Sequence, residues 1–457
     1  MKARTLRLRP GRWLVAPIIL AASLAGASGQ SADALINKLV EKGILSVKEG
    51  NDLREEADKD FKKSYSLKSG MPEWVTGLKL NGDLRLRYET FSTDATVINS
   101  GLTNKLADRN RVRYRLRFGA TANLLDNLEA GFRITSGEPT GAFGGNPVSA
   151  AQTFTDNGSK KFIWVDTVYG KWTPLKGPHL TGGLTLGKME NPFSFSDMVF
   201  DPNYTPEGAS LQLDYHFSDR QSLKFTGGWF IMDELAFSNH DPNLLGAQVR
   251  WDAQWSSKIS SSVGIAGLDI QNAQRLTNNL VPNSNVGNTR NSDETLKYFY
   301  NPVVADASIT FTADSFPLYK GRFPIKLGVE YLNNPATTNV DNYAFNAGLT
   351  LGKAGKRGTW EFAYSYRWMG ADSWYEEFTD NDFGAVYQEL PSSFWGISSP
   401  GYYPGTNVKG HILKFSYSPT DSLTLSIKWY LTELINGSPA GSDSLMNRFQ
   451  LDGNLKF

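Results

Sequence analysis

The last eleven residues, from Asn447 to Phe457, alternate without a break: Phe449, Leu451, Leu455 and Phe457 fall on one parity, and Arg448, Gln450, Asp452, Asn454 and Lys456 on the other. A strand built this way has one face suited to hydrocarbon and one suited to water. Its terminal carboxylate has to finish at an interface, with the Phe457 ring at headgroup level. The same alternation recurs back to residue 78. The strand LKLNGDLRLRYET places Leu78, Leu80, Leu84, Leu86 and Tyr88 opposite Lys79, Asn81, Asp83, Arg85, Arg87 and Glu89. In RVRYRLRFGATANL, Val112, Tyr114, Leu116 and Phe118 oppose Arg111, Arg113, Arg115 and Arg117. From Thr359, the residues Trp360, Phe362, Tyr364, Tyr366 and Trp368 form the apolar face, and Glu361, Ser365 and Arg367 the polar one. An arginine turned toward lipid near the bilayer midplane costs roughly 2–4 kcal/mol, so the arginine parity must face inward.

Sixteen such strands are predicted, near 78–90, 111–124, 128–136, 161–173, 179–188, 209–217, 221–231, 244–255, 258–268, 302–313, 323–332, 342–352, 359–369, 409–418, 421–434 and 447–457. The connections alternate between tight turns and long polar loops. That rhythm belongs to an antiparallel up-and-down transmembrane β-barrel inserted from one side. The 269–301 and 370–408 loops could each hide a hairpin, which would raise the count to eighteen. About sixteen strands enclose an aqueous passage rather than a side-chain core.

The N-terminus and composition support an exported barrel. Lys2, Arg4, Arg7, Arg9 and Arg12 precede an apolar run from Trp13 to Ala27 and small residues to Gly29, the pattern of a cleavable signal peptide over 1–29. The run is shorter than the roughly 20 residues a membrane-spanning helix needs, and no later stretch qualifies. Removing the signal leaves 42 Lys and Arg against 46 Asp and Glu, which gives no case for nucleic-acid binding. The chain has no Cys, so thiolate metal sites and nucleophiles are excluded. Residues 30–70 read as a periplasmic helical segment: Leu35 and Leu39, and Ile36 and Val40, stand at i, i+4 spacing, and Ser46 with Glu49 forms a capping box before a second helix. Residues 71–457 form the barrel domain.

The connection between the fifth and sixth strands, KMENPFSFSDMVFDPNYTPEGA, combines Pro192, Pro202 and Pro206 with four aromatic residues, which makes it stiff and half apolar. It is expected to fold inward and set Glu190, Asp197, Asp201 and Glu207 opposite a basic strip of Arg85, Arg87, Arg111, Arg113, Arg115, Arg117 and Arg133. Opposed charges of that kind narrow a pore and bias its ion preference. The competing reading is a wall ladder neutralised by neighbours such as Asp83, Glu89 and Glu129. Trp164, Tyr169, Trp172, Trp251 and Trp255 are expected in the aromatic girdles at the membrane interfaces. Asp372, Glu376, Glu377, Asp380 and Asp382 lack a repeating Ca²⁺-ligand spacing and read as a solvated or lipopolysaccharide-facing loop.

The segments LVEKGILSVKE, NGDLRLRYE, RNRVRYRLRFG, ENPF and DPNYTPEG together resemble the putative porin family of Gram-negative bacteria. The resemblance implies an outer-membrane porin for passive diffusion of small hydrophilic solutes. No cofactor or metal is expected from the residues. The inward loop is similar in position to the constriction loop of general trimeric porins, of whose PEFGG-type signature only Pro206, Glu207 and Gly208 are present. Phe457 looks like the residue read by outer-membrane assembly machinery. A substrate-selective channel, and a structural barrel tied to peptidoglycan through 31–70, are the alternatives. A barrel hydrolase finds no support in His179, His216, His240 and His411, none of which has a nucleophile-like Ser nearby. A homotrimer is compatible with the strand count.

Overall fold

The computed structural model describes residues 70–93, 96–99, 102–105, 108–140, 144–276, 287–293, 295–384, 404–436 and 445–457. The expected signal peptide, and all but residue 70 of the expected helical segment, lie outside them. Sixteen antiparallel strands form the wall: β1 (Val75–Thr93), β2 (Arg109–Leu124), β3 (Leu128–Ser136), β4 (Ile163–Lys176), β5 (Leu180–Lys188), β6 (Glu207–Ser218), β7 (Gln221–Ile231) and β8 (Asn243–Gln254) come first. They continue as β9 (Ile259–Gln271), β10 (Val303–Ala313), β11 (Phe323–Asn333), β12 (Tyr343–Gly352), β13 (Thr359–Met369), β14 (Val408–Ser418), β15 (Leu423–Leu434) and β16 (Met446–Lys456). Each pairs with its sequence neighbours and β1 pairs with β16, so the sheet closes. The 269–301 and 370–408 connections add no further wall strand among the described residues.

The closing seam runs to the last residue. Asp83 pairs with Lys456 and Thr93 with Met446 in one unbroken register. Beyond it, Gly82 N–H donates to the Phe457 carbonyl at 2.8 Å and Phe457 N–H returns the bond at 3.1 Å. Gly82 has no side chain because the Phe457 ring occupies that space and the Arg117 carbonyl would lie 2.9 Å from any Cβ added there.

The outer face carries the predicted apolar parity, with Leu86, Val112, Leu116, Phe118, Val168, Trp172, Phe225, Ile265, Leu327, Val329, Leu425 and Leu451 all exposed. Two girdle assignments change. A bulge between Arg133 and Ile134 turns both Asp166 and Thr167 inward and shifts the parity of β4. Tyr169 therefore donates its hydroxyl to Glu129 at 2.9 Å inside the barrel, and Trp164 packs beside Gly145 and donates to the Gly137 carbonyl at 3.0 Å. Trp172, Trp251 and Trp255 keep the outward position.

The inner face is not polar throughout, contrary to expectation. Toward the long-loop end the lumen-facing row is apolar. Phe230, Leu244 and Ile270 are aligned across β7–β9, and Val304, Leu332, Ala344, Met369, Val408 and Leu434 across β10–β15. All nine are buried. The sequence marks this row wherever alternation gives way to consecutive apolar residues, as at Phe230–Ile231, Leu244–Leu245 and Val303–Val304. Such a row needs an apolar partner, and inward-folded loops supply it.

Gly82→Val forces the Phe457 ring and the end of the β1–β16 seam apart, an overpacking cost of about 1–3 kcal/mol. The expected result is a lower temperature for the heat-induced shift of the folded barrel on gels, whereas Gly170→Val, where a Cβ meets nothing within 4 Å, leaves it nearly unchanged.

Candidate functional site

Two loops fill the apolar end of the lumen. The first, 189–206, enters as its proline content predicts, burying Met189, Phe193, Met198, Val199 and Phe200. The second, 370–384, had the sequence signature of a solvated loop and is instead buried, with Asp372, Trp374, Tyr375, Glu376, Phe378, Asp380 and Phe383 almost wholly inaccessible. Its acidic residues suggested solvation, but wall arginines receive Asp380 and Asp382 and the apolar row receives its aromatics. The two loops pack as one body. Phe200 stacks on Tyr204 at 5.6 Å and meets Phe378 at 5.3 Å and Trp374 edge-on at 6.0 Å. Trp374 Nε1 donates to the Val199 carbonyl at 2.8 Å, Asp201 N–H to Phe378 O at 2.7 Å and Asp380 N–H to Asp197 O at 3.0 Å. A third segment, around Val148–Ala151, is tied to both: the Val148 carbonyl accepts from Asn203 at 3.3 Å and from Asn381 at 2.5 Å.

The wall arginines hold this body in place. Arg87 binds Asp452 on β16 at 2.7 Å and Asp382 of the second loop at 2.8 Å. Arg448 binds Glu89 at 2.8 Å and Asp382 at 2.6 Å, and also donates to the Asp382 carbonyl at 2.8 Å. Arg111 and Arg113 converge on the same Glu89, and Arg113 donates to the Ala151 carbonyl at 3.1 Å. Arg115 and Arg117 share Asp83, each at 2.7 Å, and Arg115 reaches Asn203 at 3.2 Å. Arg133 stands between Asp166 and Glu190, both at 2.5 Å. Among the described residues Arg85 is the one member of the predicted strip without an ion pair, and its Nε is buried without a partner.

The predicted opposition of loop acids to this strip is met by Glu190 alone. Asp197 binds Arg367 of β13 instead, across the lumen. Asp201 meets no arginine among the described residues and accepts from Asn203 N–H at 2.7 Å and Asn381 N–H at 3.1 Å. Glu207 opens β6 and pairs with Lys188 at 2.9 Å. The neutralising partners are largely wall residues, Asp83 and Glu89 as weighed from the sequence, whereas Glu129 is taken by Tyr169. Arg367 and Asp382 went unnoticed as site residues; a single arginine in the aromatic strand WEFAYSYRWM was the available signal for the first.

The loop carboxylates divide by environment. Burial pushes Asp382 up, but Arg87 and Arg448 outweigh it and hold the group well below the usual range. Asp197 is likewise kept low against its burial by Arg367. Asp201 is pushed up to about 8 by burial and by the neighbouring Asp380, and Asp380 rises to about 6 through burial and Asp197. Among the described residues no group of three or more His, Cys, Asp or Glu is placed to hold a metal ion.

Open space remains on both sides of the loop layer. Toward the short turns, cavities of about 690, 540, 500 and 380 Å³ join through shared lining residues such as Lys414, Arg133, Lys171 and Arg250. Toward the long loops lies a cavity of about 770 Å³, lined by Trp164, Tyr204 and Tyr375 together with Asp166, Asp233, Glu234 and Glu377. None of its lining residues also lines the four inner cavities.

A closed sixteen-strand barrel with a lipid-facing outer surface, a charged lumen and inward loops is an outer-membrane channel of the porin class. The profile of the family described as "Putative porin" matches residues 62–302, and the chain belongs to that family. It is thus an outer-membrane channel for the diffusion of solutes. The fold is similar to OprB of Pseudomonas putida, with a TM-score of 0.51 at 13% identity, covering 86% of this chain and 96% of that one. OpdQ of Pseudomonas aeruginosa aligns with a TM-score of 0.39 at 11% identity, over 84% of this chain and 99% of that one. A loop-deleted OmpT of Vibrio cholerae gives 0.42 at 10%, over 83% and 99%. Comparison with curated protein sequences finds no match.

Asp382 and Asp197, held low by their arginines, contribute to docking above about pH 4 and lose that contribution as pH falls. Asp201 and Asp380 are easier to protonate in the docked loops than in a free chain, so their own contribution to docking is complete below about pH 4. It weakens as pH climbs through the raised values toward about 8. Hydrogen exchange in 189–206 and 370–384, corrected for intrinsic rate, is expected to lose protection across that window, and Asp201→Asn to flatten the change.

Proposed function

We propose that solutes cross the loop layer beside Arg133, between Asp166 and Glu190, and that this triad sets the ion preference of the channel. What supports this is position. Asp166, Thr135 and Lys188 line the outer cavity, Glu190 and Thr167 an inner one, and Arg133 is bonded to acids on both sides. Glu190 keeps 74% of its side chain exposed, so its charge faces passing ions rather than a packed interior. Arg87 clamps the second loop through Asp382, and Arg111, Arg113, Arg115 and Arg117 are paired with Glu89 and Asp83 of the wall, which leaves little free charge on them. Acid and base thus meet at the waist, and the selectivity of a channel for small hydrophilic solutes and ions is weak.

Further assignments complete this reading. The 1–29 segment is removed on export, and Phe457 serves as the assembly signal. The short turns face the periplasm, and the long loops face lipopolysaccharide. Three copies associate in the outer membrane, in keeping with the strand count, and the 31–70 segment contacts peptidoglycan. The fold and family are those of a channel, and the chain carries out no catalysis; His411 is engaged with the Tyr364 hydroxyl at 2.9 Å rather than with a nucleophile.

Reversal potentials under a KCl gradient test the waist. Arg133→Gln is expected to move preference toward K⁺ and Glu190→Gln toward Cl⁻. Joint replacement of Arg113 and Arg115 by Gln is expected to leave preference nearly unchanged while lowering thermal stability. A large shift from the joint variant, with none from Arg133→Gln, places the filter on the β2 arginines instead.

A further inference from the structure

The largest inner cavity has a built floor and unspent charge. Strand pairing sets three lumen-facing rows in order across β10–β15. Nearest the loops run Asp306, Glu330, Asn346 and Arg367; next come Ser308, Gly328, Gly348 and Ser365; nearest the short turns come Lys326, Thr350, Lys414 and Lys428. Successive rows are about 7 Å apart along the strands. The middle row is small in four adjacent strands, so the wall is recessed there, and the first loop roofs it: Ser196 N–H donates to Glu330 at 3.0 Å and Asp197 binds Arg367. The fold does not require the hollow at Gly328, where an added Cβ would meet nothing nearer than 3.7 Å.

Most charges around the recess cancel in pairs. Lys224 holds Asp252 at 2.7 Å, Arg250 holds Asp306 at 2.6 Å and Lys414 holds Glu361 at 2.7 Å. Glu330 accepts from both the N–H and the hydroxyl of Ser196. Two cations are left. Among the described residues Lys326 has neither an ion pair nor a hydrogen bond, and Lys428 reaches only the Tyr430 hydroxyl, at 3.3 Å. Lys428 also faces the loop carboxylates Asp197, Asp380 and Asp382, each already engaged by an arginine. A lysine ammonium is a mobile point charge with three donors, able to follow an anion through water.

We propose that this recess is a binding site for small hydroxylated carboxylates. The carboxylate is received by Lys326 or Lys428, and the hydroxyls are matched by Ser308, Ser365, Thr350 and Asn346 on and beside the floor. Asn346 Oδ1, buried and without a partner, is an acceptor for such a hydroxyl. An uncharged sugar satisfies only the floor, and a simple inorganic anion only the lysines; the hydroxylated carboxylate satisfies both. The assignment rests on the reading of the lumen as a conducting path.

The test is KCl conductance of the full chain in planar bilayers, with gluconate, glucose or acetate added to the side facing the short turns. Gluconate is expected to reduce the current saturably, at concentrations where glucose and acetate do not. The joint variant Lys326→Gln and Lys428→Gln should raise the half-blocking concentration about tenfold or more, the loss of one charge-assisted hydrogen bond. Gly328→Leu fills the floor, beside Lys326 Cε, without removing a charge and should abolish the block while the barrel keeps its heat-shifted gel mobility. Equal block by glucose and gluconate overturns the proposal, as does unchanged gluconate block in both variants. A folded wild-type barrel without conductance steps overturns the channel reading itself, and so is distinguishable from a conducting barrel that gluconate does not block.

Discussion

Every backbone amide in a lipid-facing wall has to find its partner within the wall, because hydrocarbon offers none. In this chain that requirement is met only if β16 returns to β1, and the seam is paired as far as the final residue, where Gly82 and Phe457 exchange both bonds. Closure fixes the side-chain parity of all sixteen strands. Once Leu84, Leu86 and Tyr88 are committed to lipid, Arg85, Arg87 and Glu89 have no place but the lumen, and the same holds for Arg111, Arg113, Arg115 and Arg117 of β2. The interior chemistry is thus a consequence of how the outside is solvated.

Placing so many arginines inside creates a second demand. A cation crowded by loops and wall is stable only with carboxylates and carbonyls around it, and removing one partner of a buried pair typically costs about 3–5 kcal/mol. The wall supplies Asp83, Glu89 and Asp452, and the loops supply Asp382 with several carbonyls. Guanidinium groups suit this because one fork binds a wall acid and a loop acid together, as Arg87 and Arg448 both do. Apolar packing of Phe200, Trp374 and Phe378 against the long-loop row completes the attachment. The same ion pairs that make the lumen electrically tolerable thereby also set its bore.

The features legible in the sequence are those with local cause. Strand positions, lumen parity and the short-long rhythm follow from period-two alternation, which operates over a few residues. The inward course of 189–206 could be read from its prolines and aromatics. Arg133 and Glu190 meet as expected, but the other pairings could not be read, since Arg87 finds Asp382 and Asp452 at separations of 295 and 365 residues. The 370–384 loop was misjudged because acidic content signals solvation only when no buried cation is waiting for it. The bulge in β4 misled the girdle assignment in another way: one extra residue reverses parity, so Trp164 and Tyr169 turned inward while Trp172 did not.

The two kinds of cation divide the lumen between them. Arginines cluster on β1–β3 and β16, where several forks engage the loops and all but Arg85 of the predicted strip have their charge held in fixed pairs. Across the passage, β11, β14 and β15 present lysines on a single row, and Lys326 and Lys428 keep their charge available. Gly264 sharpens the contrast: its missing side chain lets Arg250 on β8 reach Asp306 on β10 across the intervening strand, where any Cβ would lie 2.8 Å from Arg250 Nη2. That pairing removes an arginine from the recess and leaves the lysines as its free cations. Electrostatic force on a solute therefore arises less from the conspicuous RVRYRLR strand than from the scattered lysines opposite. Charges that brace a structure are spent on it, and those left without partners act on what passes.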